Sequence, residues 1–99
     1  MFAKLENLER RFEDLEQQLT CQDVLSDQER YRKLSIAHAE LKEVVETFRC
    51  YKTLQADLQG NRELLSDSDP DIRTMAQEEI KNIEIRLPQL ETELKVLLL

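Results

Sequence analysis

From Ala76 to Leu97 the apolar residues Ala76, Ile80, Ile83, Leu87, Leu90, Leu94 and Leu97 follow one another in steps of 4, 3, 4, 3, 4 and 3. One face of an α-helix recurs about every 3.6 residues, whereas a strand alternates with period 2. The spacing is therefore the seam of a helix packed as in a coiled coil, and no strand presents it. Ile72 extends the seam toward Asp69-Pro70. Asp69 suits an N-cap and Pro70 the first helical position, where its missing N–H costs nothing. A helix is predicted over 70–98. Pro88 interrupts its backbone hydrogen bonding, and a kink is expected there because the seam resumes in phase beyond it.

Two further stripes are present. Phe2, Leu5, Leu8, Phe12, Leu15 and Leu19 mark one face of a helix over 2–19. Residues 20–26 break that pattern, and Ser26 to Glu29 reads as a capping box with Ser26 as N-cap. A second helix is predicted over 27–66, striped by Tyr31, Leu34, His38, Leu41, Val45, Phe48, Tyr51, Leu54, Leu58 and Leu65. It would run for about 60 Å at 1.5 Å per residue. Gly60-Asn61 is its weak point, where a bend or an early end is expected at a cost of about 1 kcal/mol relative to Ala. With a single Gly and two Pro in 99 residues, folds of many short strands lack their turns. The expectation is one all-α domain over 1–99: an elongated antiparallel three-helix bundle, or long helical hairpin, with coiled-coil-like packing. The apolar end Val96-Leu97-Leu98-Leu99 is expected to belong to a longer multidomain factor or to assist a dimer.

Charge narrows the function. Twenty-one acids oppose 14 bases, a net of −7. Nucleic-acid phosphates and anionic membrane surfaces both require a basic face, so neither is an expected direct partner. The opening Met1 to Glu6 has no apolar core of a signal peptide, and no apolar run approaches the roughly 20 residues of a membrane span. A cytoplasmic location is expected, with Cys21 and Cys50 as free thiols.

No catalytic constellation stands out. His38 is alone on the inner stripe and reads as a packing residue, and neither metal nor cofactor is expected. Gly60 cannot by itself build a phosphate-cradling loop. The feature that could be read by another molecule is the acidic connector, with Glu63, Asp67, Asp69 and Asp71 clustered around the second turn. These residues serve as helix caps and solvated charge, or as a docking tip for a basic partner.

The segments Asp27-Gln28-Glu29-Arg30-Tyr31-Arg32-Lys33-Leu34-Ser35, Leu64 to Arg73, Met75 to Glu79 and Leu94 to Leu99, with the opening Lys4-Leu5-Glu6, occur in order along the chain. Together they resemble the N-terminal helical domain of bacterial class I peptide chain release factors, in particular the branch that acts at UAA and UAG. The resemblance spans nearly all of the chain. It implies a role in translation termination, with this domain docking the factor on the ribosome at the stalk base and GTPase-associated region. It also implies the class II release factor, a GTPase, as a candidate partner. The family's Gly-Gly-Gln and codon-reading motifs do not occur in this sequence, so no catalytic residue carries over and the chain is expected not to be an enzyme.

Two alternatives share parts of this pattern. A stand-alone coiled-coil scaffold or dimerisation module would use the same seams and form a stable dimer. An RNA-contacting helical arm would need a basic stripe, whereas the bases here are interleaved with acids.

Overall fold

The computed structural model describes all residues, Met1–Leu99. The chain is 87% helix and has no strand. Four helices follow in order: α1 (Phe2–Gln18), α2 (Gln22–Leu25), α3 (Gln28–Leu64) and α4 (Pro70–Leu97). They group into two compact units, Met1–Glu46 and Thr47–Leu99, and α3 contributes to both.

In the first unit, α1 buries Leu5, Phe12 and Leu15, as its stripe requires. Removing each such side chain from water contributes about 1.5–3 kcal/mol. Glu9 is also buried, although an acid was expected on the outer faces; it lies in steps of 4 and 3 between Leu5 and Phe12, on the same face. Phe2, at the opposite extreme, is 40% exposed. The last carbonyls of α1 are satisfied from beyond the helix: the Thr20 hydroxyl donates to the Gln17 carbonyl at 2.7 Å, and the Cys21 thiol to the same oxygen at 3.4 Å. The interval between the first two long helices is not plain loop. It holds the single turn α2, which buries Val24.

The start of α3 corrects the expected cap. Ser26 does not cap it; the Ser26 hydroxyl turns back and donates to the Asp23 carbonyl at 3.2 Å, closing α2. Asp27 is the cap, its carboxylate accepting from the Arg30 N–H at 3.1 Å while its carbonyl accepts the first helical bond from Tyr31. Along α3 the first unit buries Val44 and Val45, and His38 stacks on Phe12 of α1 with ring centroids 4.1 Å apart and planes 16° from parallel. Tyr31, expected on the inner stripe, is exposed, since it sits in the first turn of the helix before the stripe meets packing partners.

In the second unit, α3 continues through Gly60 and ends at Leu64, two residues short of the expected end at Ser66. At 37 residues it is about 55 Å long. Gly60 keeps a φ ordinary for any residue, and a methyl group placed there would meet nothing within 4 Å. Leu65 falls outside the helix, in the closing turn, and is exposed rather than part of the stripe. α4 begins as its sequence dictates: Asp69 caps it, accepting from the Asp71 N–H at 2.9 Å, and Pro70 takes the first helical position. The helix runs through Pro88 to Leu97, and the Thr92 hydroxyl donates to the Pro88 carbonyl at 3.1 Å. Its seam is buried at Ala76, Ile83, Leu90 and Leu94, with Ile72, Ile80, Leu87 and Leu97 half-buried between them. Phe48 and Tyr51 of α3 are buried in the same unit. The Tyr51 hydroxyl donates to Glu91 Oε1 at 2.9 Å, which fixes α4 alongside the second part of α3.

Candidate functional site

The connector between α3 and α4 is built almost wholly from its own polar groups. α3 ends in tightened turns, with the N–H groups of Leu65, Ser66 and Asp67 donating to the carbonyls of Arg62, Glu63 and Leu64. The Ser66 hydroxyl adds a second bond to the Glu63 carbonyl at 3.1 Å. Asp67 then turns the chain: its carboxylate accepts from the Asp69 N–H at 2.9 Å, and Asp69 repeats the device on Asp71. These are ionised acceptors on backbone donors, roughly twice as strong as neutral pairs.

The structure thus brings Asp67, Asp69 and Asp71 into one hydrogen-bonded chain, with Glu63 one residue before the end of α3. Asp67 and Asp69 each commit one carboxylate oxygen to the turn. Glu63 and Asp71 are exposed and form no ion pair. Glu63, Asp69 and Asp71 are exposed, and Asp67 is half-buried.

Sequence reasoning missed Arg73. Its guanidinium bypasses the nearby carboxylates and donates through Nη1 to two carbonyls, Asp67 at 2.7 Å and Ser68 at 3.2 Å. The cation pins the connector's backbone and leaves the acids unpaired. No sequence signal distinguishes a guanidinium bound to carbonyls from one bound to the acids around it. Sequence reasoning also missed an apolar groove beside the acids, lined by Asn61 and Leu64 of α3 and by Ile72, Met75, Ala76 and Glu79 of α4. Met75 lies off the seam, which is why its place at the groove was not legible.

The other singled-out residues carry no comparable arrangement. His38 Nε2 lies 3.7 Å from Glu16 Oε2, beyond hydrogen-bond length, and is otherwise without a partner. Cys21 and Cys50 are exposed free thiols. No group of three or more His, Cys, Asp or Glu side chains converges as metal ligands. Tyr51 has a displaced pKa: burial pushes its phenol above the ordinary value of 10.0, and the hydrogen bond and charge of Glu91 push it further. Gln55 Nε2 donates to the Tyr51 oxygen at 3.2 Å, completing a polar bridge between α3 and α4.

Comparison with known proteins addresses the whole chain. The family model described as the PCRF domain matches residues 8–99. Peptide chain release factor 1 of Oleidesulfovibrio alaskensis is 65% identical over 99 residues, covering 100% of this chain and 28% of that protein. Peptide chain release factor 1 of Nitratidesulfovibrio vulgaris is 64% identical over the same span and share. The protein of that name from Acidobacterium capsulatum is 41% identical, again over 100% of this chain and 28% of its own length. The chain thus spans 28% of the length of these relatives. No solved structure matches it.

Proposed function

The chain belongs to the PCRF domain family, and on that premise we propose that it serves translation termination as the helical docking domain of a release factor 1. In this reading residues 1–99 act as a single antiparallel three-helix domain with coiled-coil-like packing, in the cytoplasm. The peptide-releasing chemistry at UAA and UAG belongs to parts of the factor carrying motifs that this sequence lacks. The observation that supports the reading most directly is the match, over all 99 residues of this chain, to proteins named peptide chain release factor 1.

Docking falls to the acidic tip formed by Glu63, Asp67, Asp69 and Asp71, facing the ribosomal stalk base and GTPase-associated region. The class II release factor GTPase is a second candidate partner. The tip's geometry supports this assignment, because Arg73 fixes the backbone through carbonyls and forms no ion pair with the carboxylates. Complementary charge of this kind steers association and fixes orientation.

The test is a reconstituted termination reaction. The 99-residue chain should pellet with ribosomes, compete with a full-length release factor 1, and release no peptide by itself. Glu63→Lys, at an exposed site with no ion pair, should weaken pelleting. Peptide release by the chain alone would place the chemistry here and overturn the reading.

A further inference from the structure

We infer that the groove beside the acidic tip receives an amphipathic helix of a partner protein, with its apolar face in the groove and its Lys or Arg side chains on the rim. This inference rests on the docking reading and specifies what docks.

Two observations carry it. The first is the groove itself, about 350 Å³, whose apolar lining is Leu64, Ile72, Met75 and Ala76. A cavity of about 150 Å³ holds a benzene-sized group, so this one takes roughly two aliphatic side chains. Met75 is 70% exposed, and Leu64 and Leu65 beside it are about two-fifths exposed, so apolar surface is left uncovered at this end of the unit. Methionine is the side chain best able to adapt to an incoming apolar surface.

The second observation is the rim's charge. Between Asp57 and Glu79 the chain has seven acids, Asp57, Glu63, Asp67, Asp69, Asp71, Glu78 and Glu79, against two bases, Arg62 and Arg73. That segment holds a net of −5 out of the chain's −7. Glu79 lines the groove directly, and Glu63 and Asp71 adjoin its lining residues Leu64 and Ile72. An apolar slot with Glu79 in its lining, set in an acidic segment, matches a helix with two apolar anchors about one turn apart and cations beside them, the helix-in-groove mode of recognition. A nucleic acid would meet the same carboxylates as repulsion.

The probe is a Leu/Lys peptide about four turns long, patterned as an amphipathic helix, beside the same pattern with Glu for Lys. Binding to the 99-residue chain is followed by fluorescence anisotropy at about 50 mM and about 500 mM salt. Two variants, each confirmed folded by circular dichroism, locate the site. Met75→Lys exchanges an exposed apolar side chain at the groove for a cation. Ile85→Lys makes the same exchange at a residue 64% exposed elsewhere on α4, away from the groove lining. The expected result is that the Leu/Lys peptide binds and the Leu/Glu peptide does not. Met75→Lys should weaken binding about tenfold or more and Ile85→Lys less than about twofold, a contrast set by anchor burial rather than net charge. Residual binding at high salt supports the apolar contribution.

Equal effects of the two variants, equal binding of both peptides, or displacement of the Leu/Lys peptide by a single-stranded RNA would each overturn the inference. So would concentration-dependent dimerisation that Met75→Lys abolishes, which would make a second copy the occupant. Ribosome pelleting separates the two readings. A chain that pellets with ribosomes yet ignores the Leu/Lys peptide keeps its docking role and loses the groove. A chain that binds the peptide as expected but never pellets keeps the groove's chemistry and loses the ribosome.

Discussion

Replacing Gly60 with alanine should make the chain more stable, and the gain can be worked out from its surroundings. Gly60 lies inside α3, four residues before the helix ends at Leu64. Its φ is not positive, so alanine meets no backbone strain there. An added Cβ meets nothing within 4 Å, so there is neither a clash nor a new contact. What remains is intrinsic: glycine in a helix interior costs about 0.8–1 kcal/mol relative to alanine, chiefly through the freedom it gains when unfolded. Gly60→Ala should therefore raise unfolding free energy by about 1 kcal/mol. For a domain of this size that lifts Tm by about 4–8 °C. The assay is thermal and urea unfolding followed by helical circular dichroism. With a urea slope of about 2 kcal/mol/M, the midpoint should rise by about 0.5 M with the slope unchanged. A fall in Tm would refute the reasoning, since it would require Gly60 to hold a close approach or a distortion that its open surroundings contradict.

Other substitutions test the packing and the caps. Ile83→Ala removes a residue only 2% exposed and should cost about 2–5 kcal/mol in a urea titration; a melt unchanged by it would place Ile83 outside the core. Asp69→Ala should cost about 1 kcal/mol, with Asp69→Asn largely sparing it, as expected for a lost helix cap measured by the same titration. Tyr51→Phe deletes a hydrogen bond to the half-buried Glu91 carboxylate and should cost about 1–3 kcal/mol. The same residue sets an alkaline limit. Its pKa is raised in the folded state, so its contribution is complete below the unfolded value of 10.0 and declines as pH rises through the folded value. Unfolding midpoints measured from neutral pH to above pH 10 should show that decline in the parent chain and a weaker one in Tyr51→Phe.

Much of the helical architecture was legible because its signals are long. The α4 seam repeats over six steps, and Asp69-Pro70 marks its start chemically, so both position and cap follow from the residues. The misreadings occur where the signal is a single residue. Ser26 and Asp27 are both good caps, and only geometry showed that Ser26 closes α2 while Asp27 opens α3. α2 has four residues, barely one turn, so periodicity cannot reveal it. Glu9 lies as squarely on the inner face as Leu8, but its charge argued for solvent. Tyr31 and Leu65 continue a stripe past the packed part of α3, and periodicity gives no warning of where burial stops. At the tip, the four acids could be read from composition, whereas Arg73's choice of carbonyls and the groove beside it depend on how the turn closes.

That choice has an energetic consequence. A loop of carboxylates repels itself and would ordinarily sample many arrangements, each of which a partner must freeze out at some entropic cost. Here two carbonyl anchors to one guanidinium, with Asp67 and Asp69 holding the N–H groups, settle the turn beforehand. The self-repulsion is borne within the fold, and a cationic visitor meets a surface already set.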